Sequence, residues 1–203
     1  LRDYKEKKNI ISSKDIQAEE LVRINYLRQI SSLAKIEVAK ELIQNIIEDG
    51  EKILVFSCFN APLLELQKYF GDQSVMIIGS TDVNERGEIV KKFQEDPKIK
   101  IFFGGVNSAG TGITLTAASN VLFIDYDWVP AAMEQALNRA HRPGAVYESL
   151  NIYQITSKST IDEFMKKILL DKQEIFDKLF EGKKEENKKL MLDEMVKDIE
   201  KNY

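Results

Sequence analysis

The sequence predicts an α/β fold with an open, mostly parallel sheet that is flanked by helices. Three observations predict it. Short apolar segments are mostly continuous rather than alternating, as in strands covered on both faces. Segments whose apolar residues recur three and four positions apart lie between them, as in amphipathic helices. The two kinds of segment alternate along the 203 residues, which is typical of α/β domains.

The strands and helices can be placed by length and by their end signals. Five apolar segments are too short for helices, and we predict strands at residues 53–56, 75–78, 100–103, 121–124 and 150–155. Helices are predicted between and after them, at residues 62–70, 84–94, 131–140 and 161–180. Asp82 with Glu85, and Thr160 with Glu163, have capping-box spacing, so they mark two helix starts.

The two ends of the chain are predicted to be helical extensions. Residues 15–48 show helical periodicity with a break near Ser31 and Ser32, and Asp49-Gly50 ends that stretch. A lysine- and glutamate-rich segment after Gly182 carries a thin apolar stripe, formed by Leu190, Leu192, Met195, Val196 and Ile199. We therefore expect a linker and helical lead-in at 1–34, the main domain at 35–180 and a charged terminal helix at 181–203.

Net charge, cysteine count and apolar segments together argue against several classes of function. The net charge of −4 and the isoelectric point near 5.3 argue against DNA binding by bulk electrostatics, so any nucleic-acid contact should be local. A single cysteine, Cys58, forms no internal disulfide and lacks the Cys/His spacing of a zinc site, so we expect no metal site. No apolar segment predicts a membrane span or a signal peptide. The chain begins with Leu1 rather than Met, so we expect it to belong to a longer protein.

The loops at the carboxyl ends of the strands are the places to look for a ligand. Residues 104–112 form a loop of small residues whose backbone N–H groups could approach an anion, although tight geometry explains such glycines at least as well. The loop lacks the Lys-Ser/Thr ending of a phosphate-binding P-loop, and no Asp-Glu pair ends an apolar strand. The chain is therefore not expected to hold Mg-ATP by itself.

Arg139 and Arg142 lie three residues apart, so a continuing helix would place them on one face. Planar guanidinium groups suit bidentate capture of phosphate oxygens, and an arginine aimed at a transferring phosphoryl group accelerates the reaction by about 10³–10⁵-fold. The alternative is that both arginines are solvated or paired with Glu134 and Asp127. The pattern alone leaves the two interpretations open.

Six segments occur in the order of helicase motifs IV to VI. They are KILVFSCF (52–59), IGST (78–81), ER (85–86), SAGTGITLTAA (108–118), DYDWVP (125–130) and QALNRAHR (135–142). Together, over about residues 42–180, they resemble the Swi/Snf-type DNA-dependent ATPases of helicase superfamily two. The resemblance implies a RecA-like (P-loop NTPase-like) second lobe, with ATP and magnesium bound mainly by a first lobe outside this sequence.

The resemblance also implies roles for individual residues. Arg139 and Arg142 would be catalytic arginine fingers, and the residues near the nucleotide would be Gln135, Gly110, Thr111 and Gly112. The backbone of double-stranded DNA would be contacted by Ser57, Gly79, Ser80, Asn107 and Ser108. The chain departs from the usual family residues at Val129, Pro143 and Ala145, and also at Gly105 and Val106, where Ser-Thr is common.

Five further residues are interpreted mainly as structural. Cys58 has no identifiable base nearby, and Trp128 is expected to pack. His141 is expected to pack or to help position the cleft, and Glu85-Arg86 to form a structural ion pair at a helix start.

The sequence therefore predicts one lobe of a two-lobe, ATP-driven double-stranded DNA translocase or remodeller that is inactive alone. Its expected partners are the first lobe, double-stranded DNA and a possible protein at the terminal helix, with no membrane. Its compartment would be a bacterial or phage-host cytoplasm, or a nucleus. The alternative is a non-catalytic protein-docking lobe, and a small-molecule enzyme ranks third because no nucleophile-base pair or dinucleotide fingerprint is present.

Overall fold

The computed structural model describes residues 13–108, 113–140, 147 and 149–178 of the chain. The α-helices are α1 (Ser13–Ala34), α2 (Ile36–Glu48), α3 (Asn60–Phe70), α4 (Val83–Glu95), α5 (Pro130–Ala140) and α6 (Ile161–Lys178), and a 3-10 turn spans Gly71–Gln73. The strands are β1 (Ile53–Ser57), β2 (Ser74–Ile77), β3 (Ile101–Gly105), β4 (Asn120–Phe123) and β5 (Asn151–Gln154). Every predicted strand is confirmed, to within two residues at each end.

The five strands form one sheet in the order β2-β3-β1-β4-β5, and every neighbouring pair is parallel. The middle strand, β1, pairs on both sides, so that Val55 lies opposite Phe103 on β3 and Leu122 on β4. The predicted open parallel sheet is therefore confirmed. Because parallel strands end at the same edge, the loops after β1, β2, β3 and β4 all meet there.

Helices cover both faces of the sheet, which explains why the central strands are continuously apolar. On one face, α4 and α5 pack on alternate strand residues, including Phe56, Phe102 and Phe123. On the other face, α2 and α3 pack on the intervening residues, including Val55 and Phe103. The residues of β1, β3 and β4 are all buried.

The connections after β1 and β4 leave the sheet on opposite faces. Helix α3, which follows β1, packs in the second core, whereas α5, which follows β4, packs in the first. Neighbouring strands whose connections diverge in this way leave a crevice at their carboxyl ends. The fold therefore directs attention to the loops that follow β1 and β4.

Side chains cap the two helices whose starts were predicted. Asp82 Oδ1 accepts a hydrogen bond from Asn84 N at 2.8 Å, and Thr160 Oγ1 accepts one from Asp162 N at 3.2 Å. Each capping side chain thus accepts from the backbone N–H of the second residue of its helix, whereas in a capping box it accepts from that of the third. The starts of α4 and α6 are confirmed.

Helix α1 buries a largely polar face. Among the α1 residues whose burial the structure describes, the buried ones are Ile24, Arg28, Ser31 and Ser32, and the buried Lys35 directly follows the helix on the same side. The exposed side chains on its outward face are apolar: Val22, Tyr26, Ile30 and Leu33. Apolar periodicity therefore predicts the helix correctly but not its buried face. Among the described residues, no helix has the length and apolar character needed to cross a bilayer.

A buried ion pair fixes α1 against α6. Lys35 Nζ lies 2.7 Å from Asp162 Oδ2, and both side chains are almost fully buried. Asp162 also accepts hydrogen bonds from Ser31 Oγ at 2.9 Å and from Ser157 N at 3.0 Å. This carboxylate is therefore fully satisfied, and α1 is joined to the main domain. The terminal helix predicted at 181–203, with its apolar stripe, lies outside the described residues.

Lys35→Ala is expected to destabilise the chain by about 3–5 kcal/mol, because it leaves the Asp162 carboxylate buried without its counter-ion. Lys40→Ala is the matched control, since Lys40 Nζ lies at the same 2.7 Å from the exposed carboxylate of Glu37. This substitution should lower the free energy of unfolding by less than about 1 kcal/mol. Urea unfolding measures both. Equal losses in the two variants would contradict the structural role given to the buried pair.

Gly104→Ala is expected to cost about 1–3 kcal/mol, because a Cβ at this position would lie 2.8 Å from Cε1 of the buried Phe56. Gly87→Ala is the control, since nothing lies within 4 Å of its added Cβ on α4 and it should stabilise by about 0.5–1 kcal/mol. Opposite shifts of the two thermal midpoints are expected. A Gly104→Ala midpoint at or above that of the parent chain would contradict the packing.

Candidate functional site at the carboxyl edge of the sheet

The loops after β2 and β3 lie side by side at the carboxyl edge. A Cβ added to Gly79 would lie 3.7 Å from Ser108 Oγ, and one added to Gly105 would lie 3.0 Å from it. Gly79, Ser80 and Asn107 are exposed, and Ser108 is half-buried. The structure thus brings four of the five predicted DNA-contacting residues onto two adjacent loops.

Arg86 joins these two loops. Its guanidinium donates to the carbonyl oxygen of Thr81 through Nε at 3.3 Å and Nη2 at 3.2 Å, and to that of Ser108 through Nη1 at 3.4 Å. The sequence predicted a structural ion pair at this position. The structure shows a structural role through backbone carbonyls, which fixes the β2 and β3 loops relative to each other.

Ser57, the fifth predicted DNA-contacting residue, lies in the interior. Its side chain is fully buried, its Oγ donates to Asp125 Oδ2 at 2.5 Å, and it accepts from Phe59 N at 3.0 Å. Both hydrogen-bonding functions of the hydroxyl are therefore used within the lobe. This side chain shapes the loop after β1 and does not face solvent, and a DNA contact by Ser57 stays a prediction.

Asp125 connects three elements at the end of β4. Its carboxylate accepts from Ser57 Oγ, from Cys58 N at 2.7 Å and from Ser32 Oγ of α1 at 2.7 Å. A buried carboxylate needs such donors, because desolvation without hydrogen bonds is costly. The crevice between the ends of β1 and β4 is therefore filled by protein groups. Sequence reasoning gave Asp125 no role, although a carboxylate directly after a buried strand was a clue.

Arg28 of α1 was also missed by sequence reasoning. Its guanidinium donates to the carbonyl oxygen of Tyr126, and its Cζ lies 4.8 Å from the centre of the Trp128 ring and 5.3 Å from that of Phe59. The clue in the sequence was the spacing of Arg28, Ser32 and Lys35, which places all three on one helical face. Trp128 packs, as predicted, and its ring faces a guanidinium.

The end of α5 brings Arg139 close to the segment that follows the glycine-rich loop. Leu115 N donates to the carbonyl oxygen of Arg139 at 2.9 Å, and Ala136 and Ala140 are fully buried in the core on that face of the sheet. Gln135 is exposed and lies four residues before Arg139, so the two side chains share a face of α5. These contacts define a polar surface at the carboxyl end of α5.

Several predicted residues lie outside the described part of the chain. They are Gly110, Thr111, Gly112, His141 and Arg142, together with the sequence departures at Pro143 and Ala145. The pairing of Arg142 with Arg139 therefore stays a prediction. Asp127, one of the carboxylates considered as an arginine partner, accepts from Val129 N at 2.8 Å and lies 3.4 Å from Cys58 Sγ.

Cys58 is in an environment that suppresses thiol reactivity. Burial raises the pKa of its thiol well above the ordinary value, and the nearby carboxylates of Asp125 and Asp127 raise it further. The thiolate, which is the nucleophilic form, is strongly disfavoured. Among the described residues, no group of three or more His, Cys, Asp or Glu side chains is arranged to hold a metal ion.

An open parallel sheet with helices on both faces and polar groups at its carboxyl edge places the chain among the doubly wound α/β proteins, and the comparisons with known proteins identify its family. Residues 34–144 match the model of the helicase conserved C-terminal domain. The chain therefore belongs to the helicase conserved C-terminal domain family.

Two relatives and one solved structure specify the branch. The chain is 30% identical over 169 residues to the chromatin-remodeling ATPase INO80 of Kluyveromyces lactis. The aligned region covers 82% of this chain and 11% of that protein. It is 32% identical over 149 residues to the helicase SWR1 of Cryptococcus neoformans, covering 70% of this chain and 12% of that protein. The crystal structure of the C-terminal part of the Fun30 ATPase domain matches with a TM-score of 0.64 and 28% identity, over 82% of this chain and 54% of that one.

These matches confirm the predicted resemblance and the RecA-like fold. The chain is a C-terminal helicase lobe of the Swi/Snf type. It spans only 11% and 12% of the length of the two relatives. The activity of the longer protein to which this lobe would belong is therefore treated as a proposal.

The thiol of Cys58 is expected to react at least about tenfold more slowly with a thiol reagent at pH 8 in the native chain than in denaturant. The reason is the raised pKa, which lowers the fraction of thiolate at that pH. Absorbance of the released thiol product measures the rate, and Cys58 is the chain's single cysteine, so the reading is unambiguous. Equal rates in the two states would contradict the buried, acidic environment.

Proposed function

We propose that this lobe is the second motor lobe of an ATP-driven translocase or remodeller on double-stranded DNA. In this proposal Arg139 and Arg142 act as arginine fingers on ATP and magnesium held mainly by a first RecA-like lobe in the whole protein. One observation carries it: the bond from Leu115 N to the carbonyl of Arg139 ties the end of α5 to the chain that follows the glycine-rich loop. This bond supports the proposal, because Leu115 lies three residues after the predicted nucleotide-facing Gly112.

The proposed chemistry is electrostatic. Negative charge spreads over the transferring phosphoryl oxygens in the transition state, and a planar guanidinium can bind two of these oxygens at once. Gln135 is exposed and lies one helical turn before the half-buried Arg139 on α5, where an amide could bind the nucleotide or the attacking water. Gly110, Thr111 and Gly112 would offer backbone N–H groups to the same phosphates.

The proposed DNA surface is formed by the adjacent β2 and β3 loops. Gly79, Ser80 and Asn107 are exposed there, and Arg86 holds the two loops together from behind. Small side chains let backbone N–H groups approach phosphates closely. Local contacts of this kind fit a chain whose net charge is −4. Ser57 would act from the interior by shaping the neighbouring loop.

Closure of the two lobes would link the two surfaces. Nucleotide held by the first lobe would draw in the end of α5, and hydrolysis would release it, so that each cycle moves the β2 and β3 loops along the duplex. Because the proposed substrate is double-stranded DNA, the whole protein would work in a bacterial or phage-host cytoplasm or in a eukaryotic nucleus. The protein-docking alternative was motivated by the stripe at 190–199, which lies outside the described residues. A small-molecule enzyme is disfavoured because α1 fills the crevice between the ends of β1 and β4.

The test is ATP hydrolysis by this chain alone, by the separately expressed upstream part, and by the two mixed, with and without duplex DNA. We expect turnover that requires the upstream part and rises with DNA. Arg139→Ala in the whole protein should lower the DNA-stimulated rate by about 10³-fold, because the transition state loses a guanidinium. Arg139→Lys should restore little of it, since an ammonium cannot bind two oxygens in a plane.

Lys68→Ala is the matched control, because Lys68 is an exposed cation on α3, which packs on the other face of the sheet. Its rate should stay within about twofold of the parent rate. Full activity of Arg139→Ala and Arg142→Ala would refute the finger assignment. Hydrolysis by this chain alone would mean that it holds the nucleotide site by itself.

A further inference from the structure

The polar face of α1 is directed at the loops after β1 and β4. The end of β1 is in turn bonded to the β3 loop of the proposed DNA surface, because Val106 N donates to the carbonyl oxygen of Ser57 at 3.0 Å. Among the α1 residues whose burial the structure describes, three of the four buried ones are polar or charged, while the opposite face exposes apolar groups. Hydrophobic burial alone would have favoured the reverse orientation. The position of α1 is therefore set by directional contacts, and two of these contacts go to the carboxyl ends of β1 and β4.

The first contact is made by Arg28. Its side chain is 4% exposed and lies among Phe59, which follows β1, and Tyr126 and Trp128, which follow β4. A guanidinium that faces two aromatic rings and donates to a carbonyl fixes all three groups relative to one another. Arg28 thus spans the two loops from the side of α1.

The second contact, made by Ser32, ends at the same place. Its Oγ donates to Asp125 Oδ2 at 2.7 Å, and the same carboxylate accepts from Ser57 Oγ and Cys58 N. The loop after β1 is thereby held twice, through the Asp125 carboxylate at its start and through the Phe59 ring one residue later. Ser32 is one helical turn from Arg28, so a shift of α1 would move both contacts together.

We propose that Arg28 is a positioning residue for duplex-DNA engagement: it holds the loops after β1 and β4, and the end of β1 is bonded to the β3 loop of the proposed DNA surface through Val106 N and the carbonyl oxygen of Ser57. The inference rests on the proposed function. Arg28 touches no substrate itself and acts through the rings of Phe59 and Trp128. Its loss would loosen the DNA-binding conformation while leaving Gln135, Arg139 and the rest of α5 in place.

The experiment compares Arg28→Ala, Arg28→Lys and Gln29→Ala in the whole protein, with ATP hydrolysis measured against the concentration of a blunt 30-base-pair duplex. Gln29 is the control, since it is the exposed neighbour of Arg28 on α1. For Arg28→Ala we expect the half-saturating DNA concentration to rise about tenfold, the change that about 1.4 kcal/mol produces. The DNA-free rate and the rate at saturating DNA should stay within about twofold.

Arg28→Lys should give an intermediate shift, because an ammonium keeps the charge but cannot stack on both rings and bond the Tyr126 carbonyl together. Gln29→Ala should give none. If the half-saturating DNA concentration of Arg28→Ala equals that of the parent enzyme, the proposal is overturned. A proportional loss of all three quantities in both Arg28 variants would also overturn it, because that would indicate a merely structural role.

A second measurement reads the position of the ring directly in this 203-residue chain. Trp128 is its single tryptophan, so its emission and its quenching by acrylamide report on that ring alone. We expect Arg28→Ala to increase quenching about twofold or more with the far-ultraviolet circular dichroism unchanged, since the ring loses its covering guanidinium. Unchanged quenching would overturn the positioning role whatever the DNA result.

The failure of the proposed function would look different. A parent enzyme that hydrolyses ATP without any response to duplex DNA would refute the proposed motor, and with it the DNA role of Arg28, even if Trp128 quenching changed. A DNA-stimulated parent enzyme whose Arg28 variants match it in DNA response would refute only the role of Arg28.

Discussion

The buried carboxylate of Asp125 is the constraint on which the carboxyl edge of this lobe depends. It cannot be desolvated without donors, and its three donors come from α1 and from two successive residues at the end of β1. Satisfying one charge therefore requires that the helix and two strands take up their relative positions together. The ion pair of Lys35 with Asp162 does the same for α1 and α6.

These polar contacts give the lobe a specificity that its hydrophobic cores do not provide. The two cores on the sheet faces would accept any helix with an apolar stripe of the right volume. Helix α1 instead presents Arg28, Ser32 and Lys35 inward, and each of these bonds only in one register. A helix that leads into the lobe is thus connected rigidly to the loops after β1 and β4.

The two proposed functional surfaces would act through different kinds of group. At the β2 and β3 loops the side chains are small and Arg86 works from behind, so backbone groups are presented to solvent. At α5 the long polar side chain of Gln135 is exposed, whereas Arg139 is half-buried with its Nε inside the fold. The first arrangement suits a repeating phosphate backbone, and the second suits a single phosphoryl group whose charge changes during reaction.

The sequence by itself determined the secondary structure and the family. Strand runs, helical periodicity and capping residues are local, so they could be recognised without the fold, and the order of the motifs identified a Swi/Snf-type second lobe. It also placed Gly79, Ser80, Asn107 and Ser108 on loops at one edge. These predictions needed only neighbours along the chain and the parallel arrangement of the strands.

Only the tertiary structure decided which polar groups meet. Ser57 and Asp125 are 68 residues apart, and Ser32 and Asp125 are 93 apart, so their contacts depend on β4 lying beside β1 and on α1 crossing their ends. The burial of Ser57 and the contacts of Arg28 were therefore not predicted from the sequence. The polarity of a side chain indicates that it will need a hydrogen-bond partner if it is buried. Which residue becomes that partner depends on how elements distant in sequence pack together.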